Sequence, residues 1–173
     1  ETSLKNNDWP SSKSFDSFSV FHKTRRDSFN MPERSERASG GVAILIKRHY
    51  DACRLPQTEF TNLESISCET EFSMLNHLDI TISVVYRDHQ ISNKEFKAKM
   101  ESVFRVHQGI PSLILGDFNE NMFEDHSLIS LGMKHGFFSL VDCGTTIHDS
   151  QLDQIFRNFP VEDKLKVKVL PSY

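Results

Sequence analysis

The segment Leu113-Ile114-Leu115-Gly116-Asp117-Phe118-Asn119-Glu120 carries the strongest chemical signal in the chain. An apolar run that stops at a glycine reads as a short buried strand, and strand ends commonly present reactive groups. Asp117 and Asn119, two residues apart on extended backbone, project to the same side. A carboxylate beside a neutral amide suits phosphoryl transfer. The first can orient or deprotonate water, and the second can meet a phosphate oxygen without adding repulsion. The same Asp-x-Asn spacing also closes a strand as an Asx-turn. These residues alone leave both readings open.

The elements that must carry this segment are legible from periodicity. Phe18–Phe21 reads as a short strand, and Lys23–Arg37 as an exposed loop of mixed charge. After Gly40-Gly41, the continuous β-branched run Val42–Ile46 predicts a central strand buried on both faces. Leu63–Cys68 alternates with period two and predicts a half-buried strand. Leu78–Tyr86 alternates likewise, with Ile80, Ile82, Val84 and Tyr86 on one face. Ser92 and Glu95 fit a capping box. Phe96, Met100, Val103 and Phe104 follow as one apolar stripe of a helix that Gly109-Ile110-Pro111 ends. A second helix is predicted over Asp125–His135, with Leu128 and Leu131 in the core and Gly136 at its C-terminus. Phe138–Val141, Leu152–Phe156 and Lys164–Val169 complete the strands. The order of strands, helix, strand, helix and strands predicts a layered α/β or α+β domain. No glycine pattern matches a dinucleotide or P-loop motif.

Composition narrows the partner and the compartment. With 173 residues and 38% hydrophobic content, the chain can bury one sizeable core, which excludes a disordered or fibrous protein. Its longest aliphatic run, Val42–Ile46, is far shorter than the roughly 20 residues a membrane helix needs. The first residues resemble no signal peptide. An intracellular location follows as the expectation, with the nucleus as one option. Net charge is −4, with 20 basic and 24 acidic residues, so no global basic field advertises nucleic acid. Residues 61–173 carry all of the acidic excess, the first 60 being slightly basic. They read either as a solvated surface or as a carboxylate-lined site that needs a divalent cation before a phosphate can approach. Cys53, Cys68 and Cys143 are widely spaced and read as buried thiols of a reducing compartment, not as a zinc or disulfide framework.

Gly116-Asp117-Phe118-Asn119 after an apolar strand resembles the G-D-F-N motif of the endonuclease/exonuclease/phosphatase superfamily. Other segments agree in order. Glu1-Thr2 followed by Trp9 resembles the family's first strand end, and Gly40–Ile46 its G-G-V-A-I strand. Val85-Tyr86-Arg87 is similar to the v-Y-R-P segment of the non-LTR retrotransposon branch. Thr145-Thr146 with Leu152–Phe156 resembles the T…L-D-x-I segment. The fold this resemblance implies is a four-layer α/β sandwich, with two mixed β-sheets face to face and helices outside. Residues 1–173 would form a single incomplete domain lacking a terminal strand at each end.

The resemblance also implies roles. Glu1 would be the carboxylate ligand of a catalytic Mg²⁺, with Mn²⁺ as a substitute; such hard cations prefer oxygen. Tyr86 would lie at the substrate phosphate, and Arg87 would add a phosphate contact. Asp117 would activate the attacking water, and Asn119 would bind the scissile phosphate. Asp153 would orient the family's catalytic histidine. That histidine's S-D-H segment, and the asparagine that precedes the family's glutamate, have no counterpart in this sequence, so it reads as a fragment. Asp88-His89, Asp125-His126 and His148-Asp149 lie outside the motif positions and are not taken as replacements. The implied function is an Mg²⁺-dependent phosphodiesterase, a DNA endonuclease that nicks DNA as part of a mobile element. It would act as a monomer on DNA, with no membrane partner. Lys23, Arg25, Arg26, Arg34 and Arg37 would favour that reading if they line a groove. The alternatives are an inactive or partial remnant, a relative acting on RNA or phospholipid phosphoesters, and a plain interaction domain.

Overall fold

The computed structural model describes residues 15–31, 40–72, 78–160 and 167–168. Two sheets organise them. A two-stranded antiparallel sheet joins β1 (Phe18–Thr24) to β2 (Gly41–Lys47), in register from Phe18 opposite Lys47 to Thr24 opposite Gly41. A six-stranded mixed sheet contains β3 (Ala52–Arg54), β4 (Glu64–Phe72), β5 (Leu78–Tyr86), β6 (Ser112–Asp117), β7 (Phe138–Ser139) and β8 (Asp153–Arg157). Its spatial order is β3-β4-β5-β6-β8-β7, and β5–β6 is the only parallel pair among the described strands.

A parallel pair needs a long crossover, and helix α2 (Asn93–Val106) supplies it. Ser92 caps α2 by accepting from the Glu95 N–H at 3.3 Å. The Glu95 carboxylate lies instead against Lys99, 3.4 Å away. The predicted stripe is the buried one: Phe96, Met100, Val103 and Phe104 are at most 2% exposed. With Leu128 of helix α3 (Ser127–Lys134) they cover one face of the large sheet, meeting Leu63, Val85, Ile114 and Phe156. The small sheet covers the other face, where Val42, Ile44 and Ile46 meet Ile66, Cys68 and Tyr86. The α/β sandwich of two facing sheets is therefore the observed architecture. Among the described residues the main helical layer lies outside the large sheet.

Several expectations need correction. Lys23 and Thr24 finish β1, and Arg25–Phe29 form helix α1 where a loop was predicted. Thr24 accepts from the Asp27 N–H at 3.1 Å, a local cap that the charge pattern had obscured. Leu63–Cys68 is buried on both faces, not half-buried. Its polar members find partners inside: Ser67 Oγ lies 2.7 Å from Ser83 Oγ, and Ser65 Oγ accepts from Phe60 N at 3.3 Å. Alternation of serine with aliphatics thus reported polarity, not solvent. In β2, Val42, Ile44 and Ile46 are buried while Ala43 and Leu45 are only partly covered. Among the described residues β2 pairs with β1 alone. Cys68 is buried, which pushes its thiol up to about 12, whereas Cys53 and Cys143 are exposed. Glu1, Trp9, Arg34, Arg37 and most of Lys164–Val169 lie outside the described residues.

Candidate active site

Gly116 sets the geometry of the site. Its φ is +155°, and a Cβ built on it would lie 1.7 Å from the Val85 carbonyl oxygen. Only glycine lets β5 and β6 approach this closely. The two strand ends are then laced together, with Arg87 N donating to Asp117 O at 3.0 Å. Asp117 also faces Asp153 across the antiparallel β6–β8 pair. Tyr86, Asp117 and Asp153 line one cleft of about 470 Å³, walled by Val42, Leu45 and Leu115. Three strands that are distant in sequence therefore bring three of the predicted site residues to one place.

Asn119 reaches this end by a different route from the one expected. Its φ is +46°, so the backbone after Asp117 is left-handed and not extended. Asparagine tolerates that region better than most residues. Asp117 Oδ1 accepts from Asn119 N at 2.9 Å, an Asx-turn. The Asn119 Nδ2 donates to Arg87 O at 2.8 Å. The Asx-turn thus sets the Asn119 main-chain N–H on the Asp117 carboxylate and the side-chain amide on the Arg87 carbonyl, and Asn119 is not among the residues that line the cleft. The turn also leaves the second Asp117 oxygen uncommitted to Asn119.

Burial holds the Asp117 carboxyl above its usual range, and the negative charge of Asp153 adds to that. The Asn119 N–H and the charge of His89 act in the opposite direction. His89, of the pair Asp88-His89 left aside in the sequence, thus lies within electrostatic reach of the site. Asp153 is exposed at the start of β8, and Thr145 orients its backbone: Thr145 Oγ1 accepts from Leu152 N at 3.0 Å and from Asp153 N at 3.1 Å. That gives the Thr145 of the sequence pattern a physical task. Tyr86 is 7% exposed, with the Arg25 guanidinium 5.6 Å from its ring centroid.

Arg87, expected at a phosphate, is buried and turned into the protein. Its guanidinium donates to main-chain carbonyls and to Asn93, which sequence reasoning missed together with Glu120 and Lys97. The adjacency of Glu120 to the Asp-x-Asn pair was the available signal. Lys23 Nζ lies 3.5 Å from Glu59, and Arg25 Nε donates to Glu64 Oε1 at 2.5 Å. These two cations of the expected basic groove are therefore committed to acidic partners.

The described residues offer an oxygen-only donor set, which fits a hard divalent cation better than zinc. The mutual repulsion of Asp117 and Asp153 is the kind of strain such a cation relieves. Among the described residues no group of three or more His, Cys, Asp or Glu side chains could hold a metal by itself. Glu1, the expected metal ligand, lies outside the described residues.

No family model matches the chain, and no curated protein matches it. Solved structures do. The endonuclease domain of TRAS1, a telomere-specific non-LTR retrotransposon, is similar at TM-score 0.63 and 18% identity, over 84% of this chain and 67% of that one. The human Nocturnin catalytic domain, solved with a bound sulfate anion, gives TM-score 0.56 and 17% identity, over 82% of this chain and 60% of that one. An endonuclease/exonuclease/phosphatase family protein from Leptotrichia buccalis C-1013-b gives 0.52 and 18%, over 88% and 63%. The chain has the endonuclease/exonuclease/phosphatase fold. It spans about two thirds of the length of these structures. No helix among the described residues is long and apolar enough to cross a membrane.

Proposed function

We propose that this chain is a divalent-metal-dependent phosphodiesterase module acting on DNA, of the kind that nicks DNA for a mobile element. The observation that carries the reading is the convergence of Tyr86, Asp117 and Asp153 on one cleft, with Asn119 folded back beside Asp117. The similarity to a retrotransposon endonuclease domain supports DNA as the substrate.

Each residue has a task that its surroundings favour. Asp117 orients the attacking water with the oxygen not engaged by Asn119, and its raised affinity for protons helps it accept one. Asn119 uses one amide N–H on the Arg87 carbonyl and keeps a second for a phosphate oxygen. Tyr86 walls the cleft where the phosphate would lie. Asp153 supplies a second carboxylate directly across from Asp117. A bound Mg²⁺ or Mn²⁺, for which Glu1 is the expected ligand and Asp153 a further carboxylate, would stabilise charge developing on the phosphate and leaving-group oxygens.

Plasmid nicking with Mg²⁺ tests this. Asp117→Asn should lower the nicking rate by about 10²–10⁴-fold, the usual weight of a general base. The same variant should melt at a higher temperature at neutral pH. The folded carboxyl is raised, so its stabilising contribution is present at low pH and lost as pH rises through the folded value. Removing the ionisable group removes that loss. Nicking at the wild-type rate by Asp117→Asn would refute the role. A melting temperature unchanged by Mg²⁺ would argue against metal binding, because a ligand specific for the folded state must raise it.

A further inference from the structure

Arg87 holds the residue that the proposed mechanism aims at phosphate. Its Nε and Nη2 donate to Ile91 O at 3.2 and 2.9 Å, and Nη2 also donates to Asn93 Oδ1 at 2.5 Å. Its Nη1 donates to Asn119 O at 3.3 Å and to Phe118 O at 3.5 Å. A guanidinium has five N–H donors, and these contacts occupy all of them. The plane lies over the Phe96 ring, 5.3 Å from its centroid.

The charge is balanced from the same loop. Glu120, 5% exposed, places Oε2 3.8 Å from Arg87 Nη1. Its Oε1 accepts from Asn93 Nδ2 at 3.2 Å and lies 2.9 Å from Lys97 Nζ. Lys97 in turn reaches Asp125 at 2.6 Å. The first turns of α2, the end of β5 and the loop after β6 are thus bound into one unit around Arg87.

Contacts between Arg87 and Asn119 run both ways. Arg87 lends its carbonyl to the Asn119 amide and its guanidinium to the Asn119 carbonyl. Asn119 sits in the left-handed region, a conformation that persists only when its surroundings over-determine it. Among the described residues, Asp117 supplies the other hydrogen bond to Asn119, through its N–H.

We infer that Arg87 is a positioning residue, not a phosphate ligand: it locks Asn119 in its left-handed conformation and so fixes the side-chain amide at the strand end beside Asp117. Because it is 6% exposed and its donors are filled, it has nothing left for a substrate. Lysine cannot replace it, since one ammonium lacks the planar fork that reaches four acceptor residues at once. The inference rests on the proposed use of Asn119 at phosphate, but its structural half stands apart from activity.

The test compares the full chain with Arg87→Lys and with Asn93→Ala, which removes one partner of the guanidinium while keeping Arg87. The readouts are the Asn119 side-chain NH₂ resonance in ¹⁵N-labelled protein, nicking kinetics, and DNA binding against salt. In Arg87→Lys the Asn119 amide should lose its protection from exchange and shift toward solvent values. The kcat should fall by about 10²-fold, the cost of misplacing a positioned group, with KM changed less than the rate. The plot of log affinity against log salt should keep its slope. Asn93→Ala should give the same pattern at smaller amplitude, and it decides the matter if Arg87→Lys fails to fold. A slope flatter by about 0.9, with the Asn119 resonance unmoved, would make Arg87 a phosphate contact and overturn the inference. If the wild-type chain does not nick DNA, the proposed function fails on its own. The Asn119 resonance then still judges the inference, and an unmoved signal in both variants sinks it.

Discussion

Strand β5 passes through two polar environments that the protein treats in opposite ways. At mid-strand, Ser83 joins Ser67 to His107: the hydroxyls lie 2.7 Å apart, and His107 Nε2 is 2.9 Å from Ser83 Oγ. Every member is at most 1% exposed and no charged partner takes part in these contacts. Burial accordingly drives the imidazole down to about 4, so it is neutral at ordinary pH. Four residues further on, just past the strand's end, Arg87 is almost as deeply buried, but the Glu120 carboxylate and a row of carbonyls face its guanidinium. The lesson is that depth alone does not decide charge. An imidazole loses its proton where only hydroxyls are at hand, and a guanidinium is buried where a carboxylate and carbonyls converge on it.

The largest effect is expected where the two strands touch. Gly116→Ala would drive a methyl group into the Val85 carbonyl. Backbone cannot yield as a side chain does, so we expect a loss of about 4 kcal/mol or more, read as a collapse of the urea midpoint. Because β5 and β6 would separate at their ends, the mid-strand network should outlast the strand-end one in hydrogen exchange. Equal loss in both would mean that they form one cooperative unit.

A smaller effect should come from the mid-strand network alone. The folded pKa of His107 lies below its ordinary 6.5. Its contribution to stability is therefore complete above about pH 6.5 and lost as pH falls toward 4, because the unfolded chain takes up the proton first. The loss amounts to about 3 kcal/mol. His107→Gln should flatten the fall in melting temperature between pH 6.5 and 4. An unchanged pH profile would remove His107 from the account of acid sensitivity.

The smallest effect tests the support of the strand-end network. Ser92→Ala deletes the cap of α2, a change worth about 1 kcal/mol. The melting temperature should drop by a few degrees, about what that energy implies for a domain of this size. Exchange protection should fall first at Asn93 and Lys97, the helix residues tied to Glu120, while Ser83 and His107 keep theirs.

Legibility followed the range of the interaction. The α2 stripe and its serine cap are local, and Phe96, Met100, Val103 and Phe104 lie where their spacing put them. The strands β5 and β6 were legible for the same reason. The inward face of Ser65 and Ser67 was not, because alternation cannot distinguish water from a second covered layer. Asp117, Asn119, Tyr86 and Asp153 could be named as candidates from motif resemblance. The motif resemblance puts Arg87 at a phosphate, and its burial is not legible because arginine usually lies at the surface. Nothing local announces that Ile91, Phe118 and Asn119 will turn their carbonyls toward it.

By itself, the amino-acid sequence determined which residue types stand at the strand ends, and where the main helix begins and buries its stripe. These depend on side-chain periodicity and on hydrogen bonds three or four residues long. Only the tertiary structure decided that Asp117 faces Asp153, that Asn119 is left-handed, and that Arg87 points inward. Those outcomes depend on backbone groups more than 30 residues apart meeting at the glycine of β6, and a residue's type does not record who its distant neighbours will be.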